Sequence, residues 1–183
     1  MTPRVATVAG AAVPVAEVDE REARLRAGPL AASLPRAGTS EGRQLRRWLT
    51  QLLVTERVVA AEAAARGLTA DGAPPEDDVL PDTTARLEIG SVAAGVLADP
   101  RARALFADLT AGIDVTAAEV AGYQDRNPRR FTDTGDIADH LRGAARRRAF
   151  RIWLDARRAE LVELAPGYEH PGDPRQPDNT HRH

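Results

Sequence analysis

Four histidines stand in this chain of 183 residues, and histidine is the side chain whose ordinary pKa lies nearest neutrality. Three of them, His170, His181 and His183, fall in the closing stretch YEHPGDPRQPDNTHRH. An extended H-x-H places the rings of His181 and His183 on one side of the chain, a spacing suited to chelating a metal, with His170 as a third ligand. Glu169, Asp173 and Asp178 stand near enough in sequence to complete such a site. The same rings can carry protons near neutral pH, which makes His140, His181 and His183 candidate acid/base groups. The prolines at 171, 174 and 177 require the tail to fold back before any such site can form. Three readings therefore compete for this segment: a disordered terminus, a strap docked over a cleft and anchored by Tyr168 and Pro171, or a metal site.

Two further sets of residues could bind a ligand. Trp48, Tyr123, Phe131 and Trp153 are most of the large aromatics, each at a helical or helix-end position. They belong either to the core or to the walls of a cleft between helices, a common place for a ligand. The run LRGAARRRAFR sets Arg142, Arg146, Arg147, Arg148 and Arg151 close together. It is either a solvated helix face or an anion clamp, since guanidinium groups grip carboxylates and phosphates bidentately. Within that run Arg146 is taken as a candidate ligand-binding residue. The acidic residues at 76–78 and the pair Asp133 and Asp136 lie in turn-rich segments, where Asp caps helices; Asp136 is the expected cap of the last helix.

The composition excludes several chemistries. Every one of the 25 basic residues is Arg, so no lysine is present to form a Schiff base. With no cysteine there are no disulfides, thiolate nucleophiles or Cys-ligated zinc. No phosphate-cradling glycine loop, nucleophile elbow, dinucleotide fingerprint or H-E-x-x-H occurs, and no cofactor is expected. A formal net charge of −2 gives no pull toward nucleic acid or an anionic membrane. The N-terminus lacks the apolar run of a secretory leader, and no stretch is long enough to span a bilayer, so a soluble, cytoplasmic protein is expected.

These residues must be positioned by a body that is 43% hydrophobic but only 4% aromatic. Such a body is a set of closely packed helices with Ala, Val and Leu inside. Residues 4–15 read as a β-hairpin turning at Gly10, with Pro14 marking an edge. Helices are expected over about 16–27, 42–66, 83–98, 100–111 and 136–160. Asp99-Pro100 is a start signal, and Thr116 with Glu119 forms a capping box for a further short helix. The closing ELVEL reads as an edge strand and a natural partner for the hairpin.

Taken together, these stretches resemble the chaperone domain of the SurA- and PrsA-type peptidyl-prolyl isomerase chaperones. VAGAAVPVAEVDE resembles that family's opening V-N-G-x-x-I-x-x-x-E-L through Val8, Gly10, Val13, Glu17 and Val18, with Ala9 in place of Asn. LRRWLTQLLVTERVVAAEAAARGL resembles its long helix ending in A-x-x-x-G-I/L. VTAAEVAGYQDRNPRRF resembles its V-T-x-x-E-V-x-x-Y-Y-x-x-N-P-x-x-F element through Val115, Thr116, Glu119, Val120, Tyr123, Asn127, Pro128 and Phe131. FRIWLDARRAELVEL resembles its terminal helix and strand. The parvulin isomerase domain that follows the N-P-x-x-F element in the family has no counterpart, so isomerase activity does not carry over.

The expectation is a mainly α, SurA-like domain over residues 1–167, closed by a small antiparallel sheet of the hairpin and the C-terminal strand, with residues 168–183 as a Pro/His-rich tail. The resemblance implies an apolar cleft holding a polypeptide or another elongated ligand, with Trp48, Tyr123, Phe131, Arg146 and Trp153 on its walls. The alternative is a small enzyme or accessory protein of bacterial specialised metabolism. Its cleft would hold a hydrophobic intermediate beside histidine acid/base groups.

Overall fold

A computed structural model describes residues 3–178. The chain is mainly helical with a small three-stranded antiparallel sheet, as expected. Strands β1 (Arg4–Val8) and β2 (Ala11–Pro14) form the hairpin, and β3 (Val162–Leu164) pairs with β1, giving the order β2-β1-β3. Ala9 and Gly10 both have positive φ, 50° and 81°. That is the backbone handedness a two-residue hairpin turn demands, and only glycine adopts it without cost. Pro14 sits on the edge strand β2, where its missing N–H breaks no ladder. The central strand β1 receives β3 in register Ala6↔Leu164, Thr7↔Glu163 and Val8↔Val162.

The helices are α1 (Val15–Arg26), α2 (Ser40–Ala65), α3 (Glu76–Val79), α4 (Thr83–Ile89), α5 (Ser91–Val96), α6 (Pro100–Thr110), α7 (Ala117–Arg126) and α8 (Thr134–Leu161). A single 3-10 turn, Ala31–Ser33, interrupts the loop before α2. The start signals fall where expected. Asp99 caps α6 with Pro100 as its first residue, and Thr116 and Glu119 close the capping box of α7.

Two expectations need correction. The helix expected over 83–98 is two, because Gly90 takes φ 90° and ends α4 while capping α5. At α8 the carboxylate that meets the first turn belongs to Asp133, whose Oδ1 accepts the Gly135 N–H at 2.6 Å. Asp136 lies inside that turn, where its charge still suits the positive end of the helix.

The chain divides into two compact units. One comprises residues up to Ala61 together with those from Arg157 onward; the other is Glu62–Ala156. The boundaries fall inside α2 and α8. In the first unit Val5, Val13, Val18, Leu49, Val54 and Val58 are buried. Ion pairs tie α1 to α2: Arg21 to Glu56 at 2.6 Å, Arg46 to Asp19 and Glu22, and Arg57 to Glu17. In the second, Leu80, Leu97, Leu105, Ile137 and Phe150 are buried, with the Phe106 and Phe150 rings 5.3 Å apart and tilted. No helix among the described residues is long and apolar enough to cross a membrane.

Candidate functional site

The second unit gathers three of the sequence-derived candidates. The α7 helix ends at Asn127, which donates its backbone N–H and its side-chain amide to the Tyr123 carbonyl. This places Tyr123 in the last turn. Pro128 cannot continue the helix, and the loop returns Phe131 alongside the second turn of α8, which carries His140.

The three rings form a triangle. Their centroids lie 6.2 Å apart for Tyr123 and Phe131, 5.5 Å for Tyr123 and His140, and 5.3 Å for Phe131 and His140. All are tilted, as the ring quadrupoles favour. The Arg130 guanidinium lies 5.7 Å from the Phe131 centroid. The Tyr123 hydroxyl is 3.5 Å from His140 Nε2. Burial, then repulsion from Arg130 and Arg147, pushes the His140 pKa below its ordinary 6.5. At neutral pH the ring is therefore neutral, able to accept a proton at one nitrogen and donate from the other.

One turn along α8 the chemistry changes from aromatic to cationic. Arg142, Arg146 and Arg147, with Asp139, line a cavity of about 380 Å³ whose other lining residues include Pro74, Asp78, Val79, Phe106 and Ala107. Arg142 pairs with Asp114 at 2.8 Å and Asp139 at 2.6 Å, and Arg146 Nε reaches the Ile113 carbonyl at 3.4 Å.

The three consecutive arginines do not share one environment, as a wholly solvated helix face would require. Arg148 is exposed, Arg146 half-buried and Arg147 buried at 6% exposure. The signal lay in the period: Arg147 stands three residues before Phe150 and seven before Leu154, on the core side of α8. Gly143, one turn earlier, makes room for it. A Cβ there would meet Arg147 Nη1 at 3.1 Å, which explains a glycine inside a long helix at a cost of about 1 kcal/mol relative to Ala.

Of the remaining candidates, Trp153 is half-buried and packs on Phe150 at 5.6 Å between centroids. Trp48 is half-buried on α2 and belongs, with His170, to the first unit.

Residues 168–178, read from sequence as the start of a tail, also belong to that unit. There they lie on one polar stripe of α2. Arg47 Nε donates to the Gly167 carbonyl and Gln51 Nε2 to that of Tyr168, both at 3.1 Å. Asp178 is held by Arg43 at 2.5 Å and Arg47 at 2.7 Å, and Gln44 donates to its carbonyl at 3.0 Å. Those two guanidiniums hold the Asp178 carboxyl far below its ordinary value of 3.8. Gln176 is buried, and its amide spans the turn to the Pro171 carbonyl.

His170 Nδ1 accepts the Gly172 N–H at 2.9 Å. Arg175 holds the neighbouring Asp173 at a pKa of about 2. Both His181 and His183, proposed for metal and for acid/base work, lie outside the described residues. Among the described residues no group of three or more His, Asp or Glu is placed to hold a metal ion.

A family model described as a family of unknown function (DUF7158) matches residues 4–41, which carry the hairpin, α1 and the loop before α2. Comparison with curated proteins and with solved structures finds no match.

Proposed function

We propose that the protein is a SurA-like binding protein of the cytoplasm that holds a polypeptide or another elongated ligand with apolar groups. The observation that carries this reading is the 380 Å³ cavity of the second unit, where Pro74, Val79, Phe106 and Ala107 give apolar surface beside Asp78, and α8 contributes three arginines and Asp139. Its size falls within the roughly 300–1,000 Å³ of typical ligand sites. The half-buried Tyr123 and Phe131 on the same unit offer flat apolar surface at little entropic cost. Binding would be burial of apolar side chains, with no bond made or broken.

The test is suppression of aggregation of a thermally unfolding client such as citrate synthase, together with direct titration of an unfolded polypeptide. Client protection that falls by about threefold or more in Tyr123→Ala and Phe131→Ala supports the reading, given the ~1 kcal/mol scale of a stacked or buried ring contact. No protection and no polypeptide binding would sink it.

The neutral His140 beside the Tyr123 hydroxyl favours a second reading, an enzyme of specialised metabolism acting on a hydrophobic intermediate. His140→Gln separates the two: client binding survives under the first, and turnover is lost under the second.

A further inference from the structure

Arg147 lines not one cavity but two. On its other side Arg147, Arg148, Arg151 and Ala144 of α8 face Glu88 of α4 across a space of about 250 Å³. That is smaller than a site enclosing a whole drug-sized ligand, which starts near 300 Å³, and suits a headgroup instead.

Its charges do not balance. Three guanidiniums meet one carboxylate, and that carboxylate is half exposed at 53% and 3.5 Å from Arg147. Arg151 is fixed by donating to the Glu88 carbonyl at 2.9 Å, with Asp155 no nearer than 4.0 Å. Arg148 has no ion pair among the described residues.

Arg147 is the critical group. Its side chain is only 7% exposed. It has five N–H donors and cannot shed its charge. Against these stand a long bond to the Val79 carbonyl at 3.3 Å, the distant Glu88 contact, and a buried Nε with no partner. A buried cation so poorly compensated carries a desolvation cost that an oxyanion would relieve. The larger cavity on the other side also has three guanidiniums, but two carboxylates line it and Arg142 is already taken by acids.

We propose that the smaller cavity is a phosphate site, in which Arg147, Arg148 and Arg151 grip a dianionic phosphate group. The surplus of two positive charges matches a dianion better than a carboxylate, and planar guanidinium forks fit its oxygens. The inference stands whether or not the larger cavity of the same unit holds a polypeptide.

The experiment is a titration of the full chain with inorganic phosphate at pH 7.5, followed by calorimetry and by the arginine Nε–H NMR resonances. Phenyl phosphate and acetate are run at matched ionic strength. Saturable phosphate binding that perturbs the Arg147 Nε–H is expected. It should weaken by at least about tenfold in the Arg148→Gln/Arg151→Gln double variant, whose changes are at exposed positions, and vanish in Arg147→Met. Acetate should bind at least about tenfold more weakly, since it brings one charge rather than two. Phenyl phosphate binding as tightly as phosphate identifies a phosphate monoester as the ligand class; tighter binding of inorganic phosphate identifies the free ion. The proposal fails if phosphate gives no saturable response at millimolar concentration, if the double variant binds unchanged, or if acetate binds equally well.

Discussion

Arg47 on α2 and Arg147 on α8 are both buried arginines, and they are compensated in opposite ways. Arg47 meets a carboxylate at 2.7 Å and a carbonyl at 3.1 Å. Both come from a segment far along the chain, since Asp178 lies 131 residues from Arg47. Arg147 meets a carboxylate at 3.5 Å and a carbonyl at 3.3 Å, and its Nε meets nothing. Arg47 is thus satisfied from within the chain. Arg147 is left facing two cavities, which makes its surroundings the candidate ligand site, while residues 168–178 act as a structural strap on α2.

The sharpest test of that contrast is a matched pair of variants. Arg47→Met leaves Asp178 with Arg43 alone and the Gly167 carbonyl without its donor, and is expected to lower stability by about 3 kcal/mol, the scale for removing one partner of a buried pair. Arg147→Met removes a cation that was never well compensated and is expected to change stability by less than about 1 kcal/mol, or to raise it. Urea unfolding at pH 7 decides. Equal losses in both would break the comparison.

A narrower consequence concerns the strap. Asp178→Asn keeps the shape of the side chain but removes the charge that Arg43 and Arg47 hold. Trypsin cleavage after Arg175 is expected to quicken by roughly an order of magnitude, as charge-assisted hydrogen bonds are lost and local opening becomes more frequent. Cleavage at the native rate would mean that Gln176 and the backbone contacts suffice to hold the segment.

The smallest effect is a difference in pH response. Asp178 has a depressed pKa, so its contribution is complete above 3.8, its ordinary value, and is lost only as pH falls below that. His140 is depressed too, but from 6.5, so its neutral form contributes fully above pH 6.5 and the loss begins as pH falls below that value. Stability measured between pH 7 and 5 should therefore decline through His140, and His140→Gln should flatten the curve in that window. An unchanged curve would show that the His140 surroundings tolerate the charged ring.

Much of the fold was legible because its causes are local. The hairpin turn, the Asp99-Pro100 start, the Thr116–Glu119 box and the end of α7 at Asn127-Pro128 each depend on residues within one turn of each other. The sheet partner was legible for a related reason: a two-stranded hairpin needs a third strand, and one alternating segment remained. The same local reasoning missed the break at Gly90, because a single glycine inside an apolar pattern is compatible with either one helix or two.

Of the candidate site, sequence named the aromatics, His140 and the arginine run, but not their grouping. Tyr123, Phe131 and His140 meet because the loop after Pro128 doubles back, a path no periodicity encodes. By itself, then, the sequence determined the long helices, the caps of α6 and α7, the hairpin and the excluded chemistries, since each follows from propensities and contacts a few residues apart. Only the tertiary structure decided which arginines are buried and which acids reach them. Arg43 and Asp178 are 135 residues apart, and a guanidinium's environment is set by what the whole chain brings within a few ångströms of it.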